Sequence, residues 1–146
     1  MNGKDGELIC RFIRTPTEEE ACRIIEMYRN QGWWQAYDEG RTDFLHRLIA
    51  GSHAFVVAEK GGEIVGMGRA ISDRASDAYI QDVTVVPSCR KQGIGERIVL
   101  ALLERLHADG IAWIGLIAEP GSRGLYQKAG FLEMTGSVPM VLIKES

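Results

Sequence analysis

The chain has 146 residues, 45% apolar and 25% charged, with four prolines and a formal net charge of -3. A chain of that length makes one domain, residues 1–146, that buries roughly two thirds of its unfolded surface, so no disulfide or metal staple is required. Charge of both signs is mixed along the sequence without a long basic patch, and no apolar run approaches the roughly 20 residues of a bilayer span, so nucleic-acid and membrane partners are not expected.

Residues 1–8 are polar and lead into a short alternating strand, LICRFIR. Thr17 with Glu20 three residues on has the spacing of a capping box, and the acidic first turn suits the positive end of a helix that ends near Gly32. Phe44, Leu45, Leu48 and Ile49 form the stripe of a second helix before Gly51. From Ser52 the period changes to that of strands. Lys60-Gly61-Gly62-Glu63 reads as a hairpin connection between the first two strands of a meander, and SDAYIQDVTVVP supplies the third. Gly66 and Gly68 mark a bend or a close approach within the middle strand.

Ile94, Ile98, Leu102 and Leu106 repeat every four residues and predict a long helix from about Gly93 to Ala108. IAWIGLIA reads as a buried strand, SRGLYQKAG as a short helix, and GSVPMVLIKE as a last strand, which Pro139 puts at an edge; GFLEM is a candidate for one more. Cys10, Cys22 and Cys89 form no CxxC pair and read as reduced thiols. With no N-terminal stretch that joins positive charge to an apolar segment, the expectation is a cytoplasmic protein.

The segment SCRKQGIG, residues 88–95, joins the third meander strand to the long helix. Amides at a helix start lack intrahelical acceptors and lie at the positive end of the peptide dipoles, so phosphate oxygens satisfy them. Arg90 and Lys91 could add charge, with Gln92, Gly93, Ile94 and Gly95 completing the loop. The spacing is neither GxGxxG, since position 98 is Ile98, nor a P-loop. On spacing alone an ordinary turn and an anion site are equally good readings.

The longer string DVTVVPSCRKQGIG resembles the acyl-CoA-binding motif of the GCN5-related N-acetyltransferase (GNAT) superfamily, in which an arginine or glutamine precedes a Gly-x-Gly/Ala by two residues. GLYQKAGF, residues 124–131, resembles the family's tyrosine helix and following strand. The resemblance implies an α/β fold whose central mixed sheet has six or seven strands and about four flanking helices. It implies acetyl-CoA, held where two parallel strands, at residues 78–86 and 111–118, splay apart, and acetyl transfer to a primary amine; a small molecule is the favoured acceptor because no extended charged groove is evident.

By the same resemblance Tyr126 is the donor to the departing thiolate and also a cofactor contact, and a backbone N–H of Val83 or Val85 stabilises the oxyanion. Asp82 is a base working through water or a structural carboxylate. Glu119 is another candidate base; it stands where many relatives carry asparagine, and either alters cofactor contacts or adds charge near the acceptor. Trp33, Trp34 and Tyr37 fall where the family forms its acceptor entrance, although the tryptophans could equally seal the first helix on the sheet. His46, His53 and His107 are too scattered for a metal site, and none is expected. A non-catalytic acyl-CoA sensor or interaction domain of the same fold is the competing reading, and an exposed edge near the last strand allows a homodimer.

Overall fold

The computed structural model describes residues 6–34 and 41–144, so Tyr37 lies outside the described residues. In chain order the elements are β1 (Leu8–Phe12), α1 (Glu18–Asn30), α2 (Thr42–Gly51), β2 (Ala54–Lys60), β3 (Glu63–Ser72), β4 (Asp77–Val85), α3 (Ile94–Ala108), β5 (Trp113–Gly115) and α4 (Arg123–Lys128). A single turn of 3-10 helix, Pro87–Cys89, leads from β4 towards α3. The Thr17 capping box forms in full: its Oγ1 accepts the Glu20 N–H at 3.1 Å, and its own N–H donates to Glu20 Oε1 at 2.9 Å. The Thr17 amide, joined by the guanidinium of Arg11, holds the Glu20 carboxyl below the usual range.

The strands lie in the order β1-β2-β3-β4-β5, antiparallel except for the parallel pair β4–β5. Because side chains alternate along a strand, β2 builds two cores. Phe55 and Val57 join Ile24, Tyr28 and Leu45 beneath α1 and α2, whereas Ala54, Val56 and Ala58 join Ile98, Leu102 and Leu106 beneath α3. The glycines of β3 serve the second face. A Cβ on Gly68 would stand 2.7 Å from Ile98 Cγ2, and one on Gly66 2.8 Å from Ile98 Cδ1, so their bare backbone lets α3 lie close on the sheet. His53 is a local polar pin, its Nε2 2.8 Å from Asp109 Oδ2 at the end of α3 and its Nδ1 2.5 Å from Ser72 Oγ.

The six or seven strands expected from sequence become five among the described residues. The pattern in GSVPMVLIKE suits a strand, but a strand exists only where a neighbour pairs its backbone. The available neighbour, β5, is three residues long instead of the expected eight, and residues 131–144 contain no helix or strand. Among the described residues no helix is long and apolar enough to cross a membrane.

Candidate active site

β4 and β5 are paired only at Asp77–Trp113, Ala78–Ile114 and Tyr79–Gly115. Beyond Tyr79 the ladder ends, and among the described residues β4 from Ile80 onward has no strand partner on that side. On its other side β4 carries a bulge, since Arg69 opposes Gln81 but Met67 opposes Thr84, three steps against two. Asp82 takes up the extra step with φ +60°, a left-handed conformation uncommon outside glycine.

A cleft of about 630 Å³ opens between the C-terminal end of β4 and the segment from Glu119 to α4, within the roughly 300–1,000 Å³ range of small-molecule sites. Its walls include Val83, Thr84 and Val85 of β4, the loop and first turn from Cys89 to Glu96 apart from Gln92, and Glu119, Gly121, Ser122, Gly124, Leu125 and Lys128 from the opposite side, with Gln31 and Trp33 beside them. A separate groove of about 440 Å³, between β1 and the outer side of α3, shares no residue with it.

The loop that enters α3 gathers backbone N–H groups at one point. Lys91 at φ +62° and Gly93 at φ +79° both adopt left-handed backbone, the arrangement that turns successive N–H groups into a concave nest. A Cβ at Gly93 would meet nothing within 4 Å, so glycine is needed there for its φ and not for space. At Gly95 a Cβ would stand at an ordinary contact distance, 3.4 Å, from Leu125 of α4 across the cleft. The first intrahelical bond here is from Arg97 N–H to Gly93 C=O at 3.1 Å, which leaves the amides of Ile94, Gly95 and Glu96 ahead of it. Arg90 Nε donates to Val85 C=O at 3.0 Å, holding its guanidinium at the end of β4.

Val83, Val85, Arg90, Lys91, Gly93, Ile94 and Gly95 therefore meet in one cleft. Gln92 is turned to Lys60, whose Nζ donates to its Oε1 at 2.8 Å. Glu119 lines the cleft, and its carbonyl accepts both the N–H (3.0 Å) and the Oγ–H (2.7 Å) of Ser122, fixing the turn into α4. Tyr126 is not among the lining residues, although its neighbours Leu125 and Lys128 are. It is half-buried with its ring edge-on to Phe131 at 5.9 Å, and burial and the nearby Glu119 charge raise its hydroxyl pKa above the ordinary tyrosine value.

Asp82 is not among the lining residues. Its Oδ2 accepts from Tyr28 O–H at 2.7 Å and from Arg69 Nε at 2.6 Å. Trp34 stacks flat on Tyr28 at 4.3 Å, while Trp33 meets Tyr28 edge-on at 6.0 Å and reaches the cleft. Sequence reasoning missed Tyr28 and Arg69, and nothing in their surroundings in the chain distinguishes them from core and surface residues. Lys128 could have been found, because it lies one helical turn after Leu125 on the tyrosine helix.

A parallel pair that parts beside a helix-start nest, on a mixed sheet covered on both faces, defines the acyl-CoA N-acyltransferase class of folds. The model of the Acetyltransferase (GNAT) family matches residues 17–131, and the chain belongs to that family. It is 35% identical over 136 residues to "Serotonin N-acetyltransferase 2, chloroplastic" of Oryza sativa subsp. japonica, covering 87% of this chain and 65% of that protein. It is 36% identical over 92 residues to "GCN5-related N-acetyltransferase 1, chloroplastic" of Arabidopsis thaliana, covering 62% of this chain and 47% of the relative. The chain thus spans about half to two thirds of these relatives' length. Among solved structures, a GNAT family acetyltransferase from Streptococcus pneumoniae TIGR4 superposes with a TM-score of 0.76 at 22% identity, covering 96% of this chain and 100% of that one, a likeness of fold alone. The names of the plant relatives overturn the expected cytoplasmic location, since both are chloroplastic. Reduced thiols fit a plastid interior as well as a cytosol, so the cysteine pattern carried no weight between them.

Proposed function

We propose that this chain transfers the acetyl group of acetyl-CoA to a primary amine of a small molecule. The observation that carries the reading is the continuity of the cleft, which runs from the Lys91–Gly93 nest along the unpaired side of β4 to Glu119. The nest, the α3 amides and the charges of Arg90 and Lys91 suit phosphates, and the unpaired amides and carbonyls of β4 suit the polar arm that follows them. Bound there, acetyl-CoA supplies a thioester whose acyl carbon is the electrophile.

In this reading the N–H of Val83 or Val85 donates to the acyl oxygen as negative charge develops on it, from a position that needs no reorganisation. Glu119, the carboxylate that lines the cleft, takes the proton of the incoming ammonium, directly or through water. Tyr126 gives its proton to the departing sulfur and is reprotonated, through water, by the second proton that the attacking nitrogen loses as the amide forms; its phenol is the donor form at neutral pH. Asp82, held by Tyr28 and Arg69, positions the aromatic wall that includes Trp33. The indole of Trp33 suits an aromatic or cationic amine, and the rice relative is named for serotonin, which makes that amine the first acceptor to try.

The test is release of free CoA thiol across a panel of amines that includes serotonin, run beside a direct titration with acetyl-CoA. Binding with turnover on at least one amine supports the proposal. Binding without turnover on any amine favours a sensor, and no binding at all removes both readings.

A further inference from the structure

We infer that Tyr28 and Arg69 are positioning residues for the proposed reaction: through Asp82 they fix the left-handed step of β4, and that step aims the Val83 N–H into the cleft. The inference rests on the reading of the cleft as an acetyl-CoA site, and it decides which of two amides meets the acyl oxygen. Val86 N–H donates to Val65 C=O at 2.8 Å, towards β3. Amides alternate in direction along a strand, so Thr84 also turns its N–H to β3, while Val85 and Val83 turn theirs to the cleft.

The two amides differ in what holds them. Val85 sits in the ladder opposite Gly66, whereas the Val83 amide belongs to the peptide unit that follows Asp82 at φ +60°. Its direction is set by a backbone conformation that residues with a Cβ adopt only under constraint, aspartate and asparagine most readily. Tyr28 O–H from α1 and Arg69 Nε from β3 supply the constraint, both closing on Asp82 Oδ2, at 2.7 Å and 2.6 Å. Arg69 is itself fixed, since its Nη2 donates to Gln81 Oε1 at 3.2 Å, across the ladder pair that precedes the bulge. Tyr28 is 1% exposed and has no room to follow a carboxylate that moves away.

A bulge by itself leaves its extra residue outside the ladder, so the ladder does not fix the direction of that peptide. Here it is held from both faces of the sheet. On the α3 face Val83 lies against bare backbone, for a Cβ on Gly68, opposite the bulge, would stand 3.2 Å from Val83 Cγ2. On the other face the Asp82 carboxylate is tied to α1 and β3. An oxyanion donor is effective when it is already oriented before charge develops, and a clamp on the preceding residue preserves that orientation. The clamp takes no proton from the substrate, which leaves the base to Glu119.

The test separates backbone from carboxylate. Asp82→Gly removes the carboxylate but accepts the left-handed step freely, Asp82→Ala loses both, and Arg69→Lys keeps the charge but not the fork that reaches Asp82 and Gln81 together. At a temperature where each variant is folded, kcat for thiol release is expected to fall about 10²-fold in Asp82→Ala and no more than about 10-fold in the other two, with KM for acetyl-CoA within about threefold throughout. The second readout needs no turnover. By NMR the Val83 amide proton should move downfield on saturation with acetyl-CoA but not with CoA, in the wild type and Asp82→Gly and not in Asp82→Ala. Because it is read first on the wild type and on Arg69→Lys, where a smaller shift is expected, it decides the matter even if Asp82→Ala does not fold. Equal losses in the glycine and alanine variants, or a Val83 resonance that does not tell acetyl-CoA from CoA, overturn the inference and leave the transfer reaction standing. A wild-type chain that binds no acetyl-CoA removes both.

Discussion

In the proposed reaction Asp82 and Glu119 divide two tasks that a sequence alone leaves open to either carboxylate. Both Tyr28 and Arg69 donate to one oxygen of Asp82, so its charge is committed to structure; Glu119 lines the cleft. Glu119→Gln is therefore expected to slow thiol release by roughly 10²-fold and to remove the acid limb of the pH-rate profile, as loss of a general base does. Asp82→Asn is expected to leave the shape of that profile unchanged while lowering the urea midpoint. Tyr126→Phe should reduce thiol release by about 10²-fold with acetyl-CoA affinity held within about twofold, because it deletes a proton and keeps the ring. At Tyr28 the readout is stability. Burial first, then the Asp82 charge, raises its pKa far above the tyrosine norm. The unfolded chain, whose tyrosines ionise near 10, gives up this proton more readily, so folding stability must fall as pH climbs past about 10. Tyr28→Phe should cost about 1–3 kcal/mol at neutral pH and make that alkaline decline shallower, measured by urea unfolding at both pH values.

At the scale of elements, the position of α3 decides whether the cleft exists, because its first turn is one wall and Ile98 seats it on β3. Gly68→Ala puts a methyl 2.7 Å from Ile98 Cγ2, 3.2 Å from Val83 Cγ2 and 3.3 Å from Leu102 Cδ1. The expected cost is about 1–3 kcal/mol of stability from overpacking, together with weaker acetyl-CoA binding as the helix lifts; denaturation and a binding titration check the two parts. The glycine pair was visible in the sequence as an interruption of a strand, and the structure supplies its reason. The helices were also legible, since capping at Thr17 and the four-residue repeat from Ile94 are local signals. The bulge at Asp82 was not, because its left-handed residue is an aspartate and the extra step depends on how β3 and β4 register. The last strand failed for a related reason. Alternation in residues 137–143 describes what such a strand would bury, whereas pairing depends on an edge that local pattern does not encode.

For the whole molecule, the cleft separates a large part from a small one. β1 to β4 with α1, α2 and α3 form two continuous cores, while β5 and α4 join them through a three-residue ladder and through Ile114, Leu116 and Phe131, which pack on the core beneath α3. A ligand that fills the cleft touches both parts and supplies the pairing that the parted strands lack. Its binding free energy then adds to the free energy of opening the small part. At 100 times its dissociation constant acetyl-CoA should stabilise the fold by about 2.7 kcal/mol. For a chain of this size that raises Tm by roughly 5–10 °C. Amide exchange distinguishes this from uniform stiffening: protection should rise most at Trp113–Gly115, α4 and the 91–96 loop, and least at β1 and β2, which have no part in the cleft. Equal gains along all five strands would mean that the ligand binds without bridging the two parts, and the parted strands would then have no role in holding it.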